Sequence, residues 1–368
     1  MPECLTGSTP KRVSVLIADD SVFMRHMLRR ILGRHPRIEV VAEARDGLEA
    51  IEKNQQVMPD VVVLDVEMPR VNGLSALKVM MAQRPVPVVM FSSLTHKGAQ
   101  VTLEALSAGA VDFLPKPASG FELDTAAEEL CRKVLAAACA KPRVREELVV
   151  ANREAVRPSQ QAEPSDLKAH REAGALVIIG ASAGGPQALE ELVPDLPGDL
   201  ESGVIVCQHM PAGFTASMAR RLDTVSALPV REASDGEVVR AGEILVAPGG
   251  YHLRVFRSEG GKGVRVSRDN GPPVHGVRPA VDVTLEDAAS IYGKRLMVVI
   301  LSGMGSDGSR GAKKAKESGA RVIVQDESTS VVWGMPRACY ELGISDKMLP
   351  IDQIAGEIAA FSHSALAH

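Results

Sequence analysis

The sequence is poor in aromatic residues, which make up 3% of its 368 residues, so the core must be built from aliphatic side chains and methionine. Its five cysteines are odd in number and show no CxxC spacing, which argues against a disulfide framework and predicts reduced thiols in the cytoplasm. Basic residues are not in excess, since the net charge is -4, and this argues against a protein that binds nucleic acid. No apolar run is long enough to cross a bilayer, and the amino terminus lacks the pattern of a signal peptide.

The sequence has the composition of a globular protein, with 45% hydrophobic and 24% charged residues. A chain of this length is expected to form two domains. In its first third, buried-strand patterns alternate with helical spacing. Such alternation predicts a doubly wound α/β domain over residues 11–133, because parallel strands need crossover helices. The predicted strands are Val13–Ala18, Ile38–Ala42, Val61–Leu64, Val86–Phe91 and Val111–Leu114.

The character of the chain changes after this region. Residues 134–172 are charged, contain prolines and lack a sustained apolar stripe, which predicts a linker. A second α/β region follows at 173–362, and its patterns predict a three-layer α/β/α domain with a mainly parallel sheet. The segments Leu253–Phe256 and Val264–Ser267, joined by SEGGKG, predict an inserted β-hairpin in this domain.

Acidic side chains gather at strand ends in the first region. Asp19 and Asp20 close the first predicted strand and Asp65 closes the third, and a strand order of 2-1-3-4-5 makes these two strands neighbours. Three converging carboxylates predict a Mg²⁺ site. Ser92 and Lys116 end the fourth and fifth strands, so a hydroxyl and an ammonium reach the same rim. Each residue alone could be a helix cap or a solvated side chain, but together they favour Asp65 as a nucleophile that accepts a phosphoryl group.

The segments LIADDS, VVLDVEMPRVNG, VVMFSS and DFLPKP resemble the receiver domain of two-component response regulators. This resemblance implies a flavodoxin-like fold in which Asp65 is phosphorylated by a histidine kinase, with Mg²⁺ held near Asp19, Asp20 and Asp65. It also implies that Ser92, Phe113 and Lys116 are the switch residues and that the Lys116–Pro117 peptide bond is cis. A receiver indicates control by phosphorylation, and the output must lie in the second domain.

The loop GASAGG follows a buried strand and leads into a helix through a proline. Its first five residues match G-x-S-x-G, a turn that exposes the hydroxyl of Ser182 and aims backbone N–H groups at an oxyanion. His209 follows the next strand, and Asp307 lies in a glycine-rich loop after a later strand, so both are expected at the same sheet edge. The alternatives are a phosphate-binding or merely tight turn, a structural histidine and an aspartate that caps a helix.

The loops GASAGG, VCQHMPAGF, VAPGGYH, PPVHGVRPAVD, LSGMGSDG and QDESTSVVWGMP look like those of the chemotaxis protein-glutamate methylesterases, the CheB family. The resemblance implies Ser182 as nucleophile, His209 as general base and Asp307 as the orienting carboxylate. It also implies backbone oxyanion contacts from Ala183 and Met304. The family loop is usually GASTGG, so Ala183 replaces a threonine whose side chain cannot contribute here.

The resemblance implies a methylesterase, activated by phosphorylation, that demethylates glutamate methyl esters on chemoreceptors and can also deamidate receptor glutamines. Its expected partners are those receptors and a chemotaxis histidine kinase, and we expect a monomer with no cofactor in the esterase domain. The sequence also leaves three other functions open: an esterase for a small ester, a receptor-binding adaptor and a transcriptional regulator. The Ser-His-Asp pattern argues against an adaptor, and the negative net charge argues against a transcriptional regulator.

Overall fold

The computed structural model describes residues 12–93, 95–116, 123–141, 171–258 and 263–365. Most of the predicted linker and the predicted cis bond at Pro117 lie outside these residues. The last helix of the first domain continues to Ala137, past residue 133, and the domain boundaries themselves stay predictions. Within the described part of the chain, no helix combines the length and the apolar character that crossing a bilayer requires.

The first domain alternates strands and helices along the chain. Its five strands form one parallel sheet in the order β2-β1-β3-β4-β5, which confirms the predicted order. The elements are β1 Val13–Ala18, α1 Val22–Gly33, β2 Ile38–Ala44, α2 Gly47–Val57, β3 Val61–Asp65, α3 Gly73–Gln83, β4 Val88–Ser92, α4 His96–Ser107, β5 Asp112–Pro115 and α5 Leu123–Ala137.

Polar side chains fix where the helices of this domain begin. Ser21, Asp46 and Asn72 precede α1, α2 and α3, and each accepts a hydrogen bond from a backbone N–H in the first turn. Such caps satisfy donors that have no partner inside the helix. The central strands β3 and β4 are buried throughout, as expected for a parallel sheet between two layers of helices, whereas the edge strand β2 is partly exposed.

The second domain contains a seven-stranded sheet in the order β14-β13-β12-β6-β7-β9-β8, and all of its pairings are parallel. The predicted hairpin forms a two-stranded antiparallel sheet of its own. The elements are β6 Leu176–Ala181, α6 Gly185–Leu192, β7 Gly203–Gln208, α7 Phe214–Asp223, β8 Val230–Glu232, β9 Ile244–Val246, β10 His252–Arg257, β11 Val264–Asp269, α8 Val281–Tyr292, β12 Leu296–Ile300, α9 Ser309–Glu317, β13 Arg321–Gln325, α10 Met335–Glu341, β14 Lys347–Leu349 and α11 Ile351–Ser364.

The large sheet separates two apolar cores. One face packs against α6, α7 and α11, and the other against α8, α9, α10 and the hairpin. Alternate residues of a strand point to opposite faces, and β6 shows this, because Val177 belongs to the first core and Ile178 to the second. The domain therefore has the predicted three layers.

Four elements of the second domain were missed by the sequence interpretation. β8 and β14 are three-residue strands, too short to show a period of two. α10 is short, follows Gly334 and has Pro336 as its second residue. α11 was predictable, because its buried apolar positions follow helical spacing: Ile351, Ile354, Ala355, Ile358 and Phe361. The sequence interpretation did not use this pattern.

Close contact between α8 and α9 depends on Gly311, where a Cβ atom would lie 2.6 Å from Cβ of Leu285. We expect Gly311→Ala to reduce the free energy of unfolding of this domain by about 1–3 kcal/mol, the usual cost of overpacking. Gly356 of α11 has no atom within 4 Å of such a Cβ, so Gly356→Ala should stabilise by about 0.5–1 kcal/mol. Urea unfolding followed by the fluorescence of Trp333, the single tryptophan, measures both. Equal stability of the two variants would contradict the packing argument.

Candidate functional site

The acidic residues of the first domain meet at the carboxyl ends of β1 and β3. Asp65 ends β3 and Asp19 follows β1 directly, and both side chains are buried. Nζ of Lys116 lies 2.8 Å from Oδ2 of Asp65 and 3.0 Å from Oδ2 of Asp19. Burial raises the pKa of Asp65 to about 6, an effect that Lys116 opposes and the Asp19 carboxylate reinforces. Burial would lower the pKa of Lys116, but the two carboxylates outweigh it and raise that pKa.

Asp19, Asp20 and Asp65 each offer an oxygen to one point, since these oxygens lie within 4.8 Å of one another. Asp20 is exposed and the other two are buried, so a cation bound there would keep contact with water. Mg²⁺ prefers oxygen ligands and retains water, and two buried carboxylates with a single lysine still lack positive charge. The residues therefore fit Mg²⁺.

The predicted switch residues lie in different surroundings. Lys116 reaches the acidic site, whereas the hydroxyl of Ser92 accepts a hydrogen bond from Thr102 of α4 at 2.8 Å. Phe113 is buried and stacks on Phe214 of the second domain, with ring centroids 4.5 Å apart. Only Lys116 therefore contacts the acidic site directly, while Ser92 contacts α4 and Phe113 contacts the other domain.

In the second domain, Ser182 lies in the tight turn between β6 and α6. Gly184 has φ +73°, and a Cβ atom there would lie 2.5 Å from Cβ of Val331, so only glycine fits. The N–H of Ser182 donates to the carbonyl of Ser302 at 3.0 Å. This bond ties the serine loop to the glycine-rich loop after β12.

His209 and Asp307 form a direct pair. Nε2 of His209 lies 2.7 Å from Oδ2 of Asp307, and both side chains are largely buried. Asp307 also accepts hydrogen bonds from the backbone N–H groups of Val281 at 2.7 Å and Asp282 at 3.0 Å. Burial would raise the pKa of Asp307, but His209 and the two N–H groups outweigh burial and lower it. Asp307 is therefore held as a carboxylate against the imidazole.

Because Asp307 bonds Nε2, the nitrogen of His209 that remains for a substrate or serine proton is Nδ1. The loops of His209 and Ser182 are neighbours, since the N–H of His209 donates to the carbonyl of Ala181 at 3.0 Å. Among the described contacts there is no hydrogen bond between the Ser182 hydroxyl and His209. Such catalytic contacts often tighten only when substrate binds.

The predicted oxyanion donors belong to two loops, Ala183 to the serine loop and Met304 to the glycine-rich loop after β12. Ala183 is buried directly after the serine, and Met304 follows Gly303, where a Cβ atom would lie 3.0 Å from Cβ of Ser182. In the described residues, the backbone N–H groups of Ala183 and Met304 donate to no backbone carbonyl outside regular helices and strands. Their role as oxyanion donors stays a prediction.

Two buried polar side chains next to the predicted catalytic residues were not singled out by the sequence interpretation. Gln208 is buried directly before His209, and its amide donates to the carbonyl of Ser182 at 2.9 Å. Asp282 is buried in the first turn of α8, next to Asp307. A polar residue beside a predicted catalytic histidine was a usable signal for Gln208, whereas nothing local distinguishes Asp282 from an ordinary N-terminal helix aspartate.

The receiver-like domain contacts the serine loop itself. The N–H of Gly184 donates to the carbonyl of Val111 at 3.0 Å. The amide of Gln187 donates to the carbonyls of Leu106 at 2.7 Å and Ala110 at 2.6 Å. The segment between α4 and β5 therefore lies directly against the turn that carries Ser182.

The first domain has an acidic site at the carboxyl ends of its strands, and the second carries Ser, His and Asp residues at one edge of its sheet. Together they define a response regulator with an enzymatic output domain. The family model for the response regulator receiver domain matches residues 15–128, and that for the CheB methylesterase matches residues 177–358. The chain belongs to the protein-glutamate methylesterase/protein-glutamine glutaminase family, a family of hydrolases.

Its relatives match over nearly the whole chain. A protein of that name from Symbiobacterium thermophilum is 49% identical over 96% of this chain and 98% of its own length. One from Pyrococcus abyssi is 45% identical over 94% and 92%. The crystal structure of the Thermotoga maritima CheB methylesterase catalytic domain has a TM-score of 0.50 and 44% identity, and the match covers 51% of this chain and 98% of that one.

Loss of one buried ligand should weaken the predicted Mg²⁺ site. We expect Asp19→Asn to raise the Kd for Mg²⁺ by about 10–100-fold, the loss typical for removal of supporting groups at metal sites. Titration calorimetry measures this, with Glu39→Gln, an exposed residue of β2, as the control. An unchanged Kd in Asp19→Asn would mean that these carboxylates do not bind the ion.

Proposed function

We propose that this chain hydrolyses methyl esters of glutamate side chains on chemoreceptors, with Ser182 as nucleophile. The observation that carries the proposal is the 2.7 Å contact between His209 and Asp307 beside the serine turn. A carboxylate held at one imidazole nitrogen fixes the tautomer, so the other nitrogen is free to accept a proton. The family to which the chain belongs supports the same reaction.

The reaction proceeds in two steps. Ser182 Oγ attacks the γ-carbonyl carbon, its proton passes to Nδ1 of His209, and the N–H groups of Ala183 and Met304 stabilise the oxyanion. The bond to the methoxy group breaks, and methanol leaves with the proton from His209. Water then attacks the acyl-enzyme by the same route, which releases the glutamate carboxylate and restores Ser182. With a glutamine side chain, the leaving group is ammonia.

The first domain controls this reaction through phosphorylation of Asp65 by a histidine kinase. Asp19, Asp20 and Asp65 would hold a Mg²⁺ ion, whose positive charge would offset the phosphoryl oxygens. Lys116, which lies 2.8 Å from Asp65, is the residue that neutralises the remaining charge.

In the unphosphorylated chain, the segment between α4 and β5 covers the serine turn through its bonds to Gly184 and Gln187. Phosphorylation changes the contacts of Ser92 and Phe113, which lie between Asp65 and this interface, and shifts the chain to an open form. The chain acts in the cytoplasm as a monomer.

Removal of the nucleophile tests the reaction. We expect Ser182→Ala to lower kcat for methanol release from methylated chemoreceptor membranes by roughly 10⁴–10⁶-fold, because only binding and oxyanion stabilisation remain. Ser290→Ala, an exposed serine of α8, is the control and should leave kcat unchanged. If kcat falls less than tenfold in Ser182→Ala, Ser182 is not the nucleophile.

Loss of the Gln187 amide tests the control by the receiver. Two hydrogen bonds to the receiver disappear in Gln187→Ala, worth roughly 1–2 kcal/mol net, so basal methanol release without phosphodonor should rise about fivefold to thirtyfold. Gln353→Ala, an exposed residue of α11, should not change it. An unchanged basal rate in Gln187→Ala would show that this contact does not hold the closed form.

A further inference from the structure

The amino-terminal ends of α8 and α9 are joined by reciprocal hydrogen bonds from backbone N–H groups to carboxylates. Asp307, just before α9, accepts hydrogen bonds from the N–H groups of Val281 and Asp282 in α8. In return, Oδ1 of Asp282 accepts a hydrogen bond from the N–H of Gly311 in α9 at 2.6 Å. Each carboxylate thus satisfies donors at the amino-terminal end of the other helix, where negative charge is favourable. The position of Asp307 therefore depends on that of Asp282.

The second oxygen of Asp282 is held by a histidine. Nε2 of His275 lies 2.8 Å from Oδ2 of Asp282 and 3.8 Å from Oδ1 of Asp307. Asp282 is fully buried, so this donor offsets a carboxylate that has lost its water. Arg310 is the other nearby cation, but its Nε is 3.7 Å away and its side chain is 61% exposed, which makes it a weak substitute.

The loop that carries His275 is itself fixed. His252 is buried, its Nε2 contacts the carbonyl of Pro272 at 3.0 Å, and its Nδ1 accepts from the N–H of Ala280 at 3.2 Å. Arg278 donates to the carbonyl of Gly271 at 2.9 Å. These bonds hold both ends of the segment between β11 and α8. The position of His275 next to Asp282 is therefore fixed by the surrounding structure.

Asp282, Asp307 and His275 are close enough to surround a cation. Each of the four carboxylate oxygens, however, already accepts at least one hydrogen bond. Both oxygens of Asp307 accept from N–H groups, and the two oxygens of Asp282 accept from Gly311 and His275. A metal ion would compete with these donors, so we describe the arrangement as a hydrogen-bonded cluster.

We propose that Asp282 and His275 form a second aspartate–histidine pair that positions the orienting carboxylate Asp307 and, through it, the imidazole of His209. This inference rests on the proposed function, in which Asp307 orients the general base. Without the His275 donor, Asp282 turns towards Arg310 at the surface and moves the first turn of α8. The N–H groups that hold Asp307 move with it, and the 2.7 Å contact to His209 is lost.

Two substitutions remove the pair in different ways. Asp282→Asn keeps the shape but offers an amide donor to His275, and we expect kcat to fall about 10–100-fold, as for other groups that orient a ligand, with KM unchanged. His275 has φ +54°, so His275→Gly keeps the backbone unstrained and removes only the donor. It should lower kcat about tenfold, in the lower part of the same range.

A conservative variant and a remote one complete the set. Asparagine tolerates the left-handed backbone of position 275 and carries a side-chain N–H donor, so His275→Asn should restore most of the kcat that His275→Gly loses. Lys313→Gln, at an exposed position of α9, should match the wild type. A role limited to folding would lower the fraction of active enzyme but not kcat per active site.

The experiment measures kcat for methanol release by the full chain per Ser182, titrated to completion with a fluorophosphonate. It also records the low-field proton resonance of the His209–Asp307 hydrogen bond. We expect lower kcat and a shifted or lost resonance in Asp282→Asn and His275→Gly, with recovery of both in His275→Asn. Unchanged kcat and resonance in either perturbed variant would overturn the proposal. If Asp282→Asn does not fold, the two His275 variants decide.

The two proposals fail in different ways. If the wild type releases no methanol in a Ser182-dependent manner, the proposed function is wrong, whereas the proton resonance still reports whether Asp282 and His275 position Asp307. If the wild type is active and the resonance is the same in all variants, only the positioning pair is wrong.

Discussion

The arrangement of the second domain depends on one constraint, which is that all seven strands of its sheet are parallel. The loops that leave the carboxyl ends of parallel strands meet at one edge. Because β12, β6 and β7 are neighbours, the loops of Asp307, Ser182 and His209 lie side by side at that edge. His209 and Asp307, which are 98 positions apart in the sequence, thus contact each other.

The same edge is where the first domain docks. The apolar core on the α6 and α7 side continues into the receiver, where Leu103, Leu106 and Phe113 belong to it. Phe113 lies three residues before Lys116, which contacts Asp65, and it stacks on Phe214 of the second domain. A continuous packed path therefore joins the acidic site to the serine turn. In our proposal, a rearrangement at Asp65 changes the packing at this interface, because a close-packed core transmits strain.

The sequence predicted those features that leave a periodic or local trace. The strands of both sheets show as apolar runs, and Asp19, Asp65, Ser182, His209 and Asp307 each follow such a run. The reciprocal hydrogen bonds between α8 and α9 leave no such trace, because Asp282 and Gly311 are ordinary helix residues until the two helices pack. The contacts between the domains were equally hidden, since the acceptors at Leu106, Ala110 and Val111 are backbone carbonyls, which every residue carries.

In our proposal, the receiver limits access to Ser182 until Asp65 is modified. The most direct test is the rate at which a fluorophosphonate probe labels Ser182 in the full chain, with and without beryllofluoride and Mg²⁺ as a mimic of the phosphorylated state. Our account predicts slow labelling of the untreated chain and faster labelling after treatment, with no acceleration in Asp65→Asn. Equal rates in the treated and untreated wild type, with the mimic bound at Asp65, would contradict it.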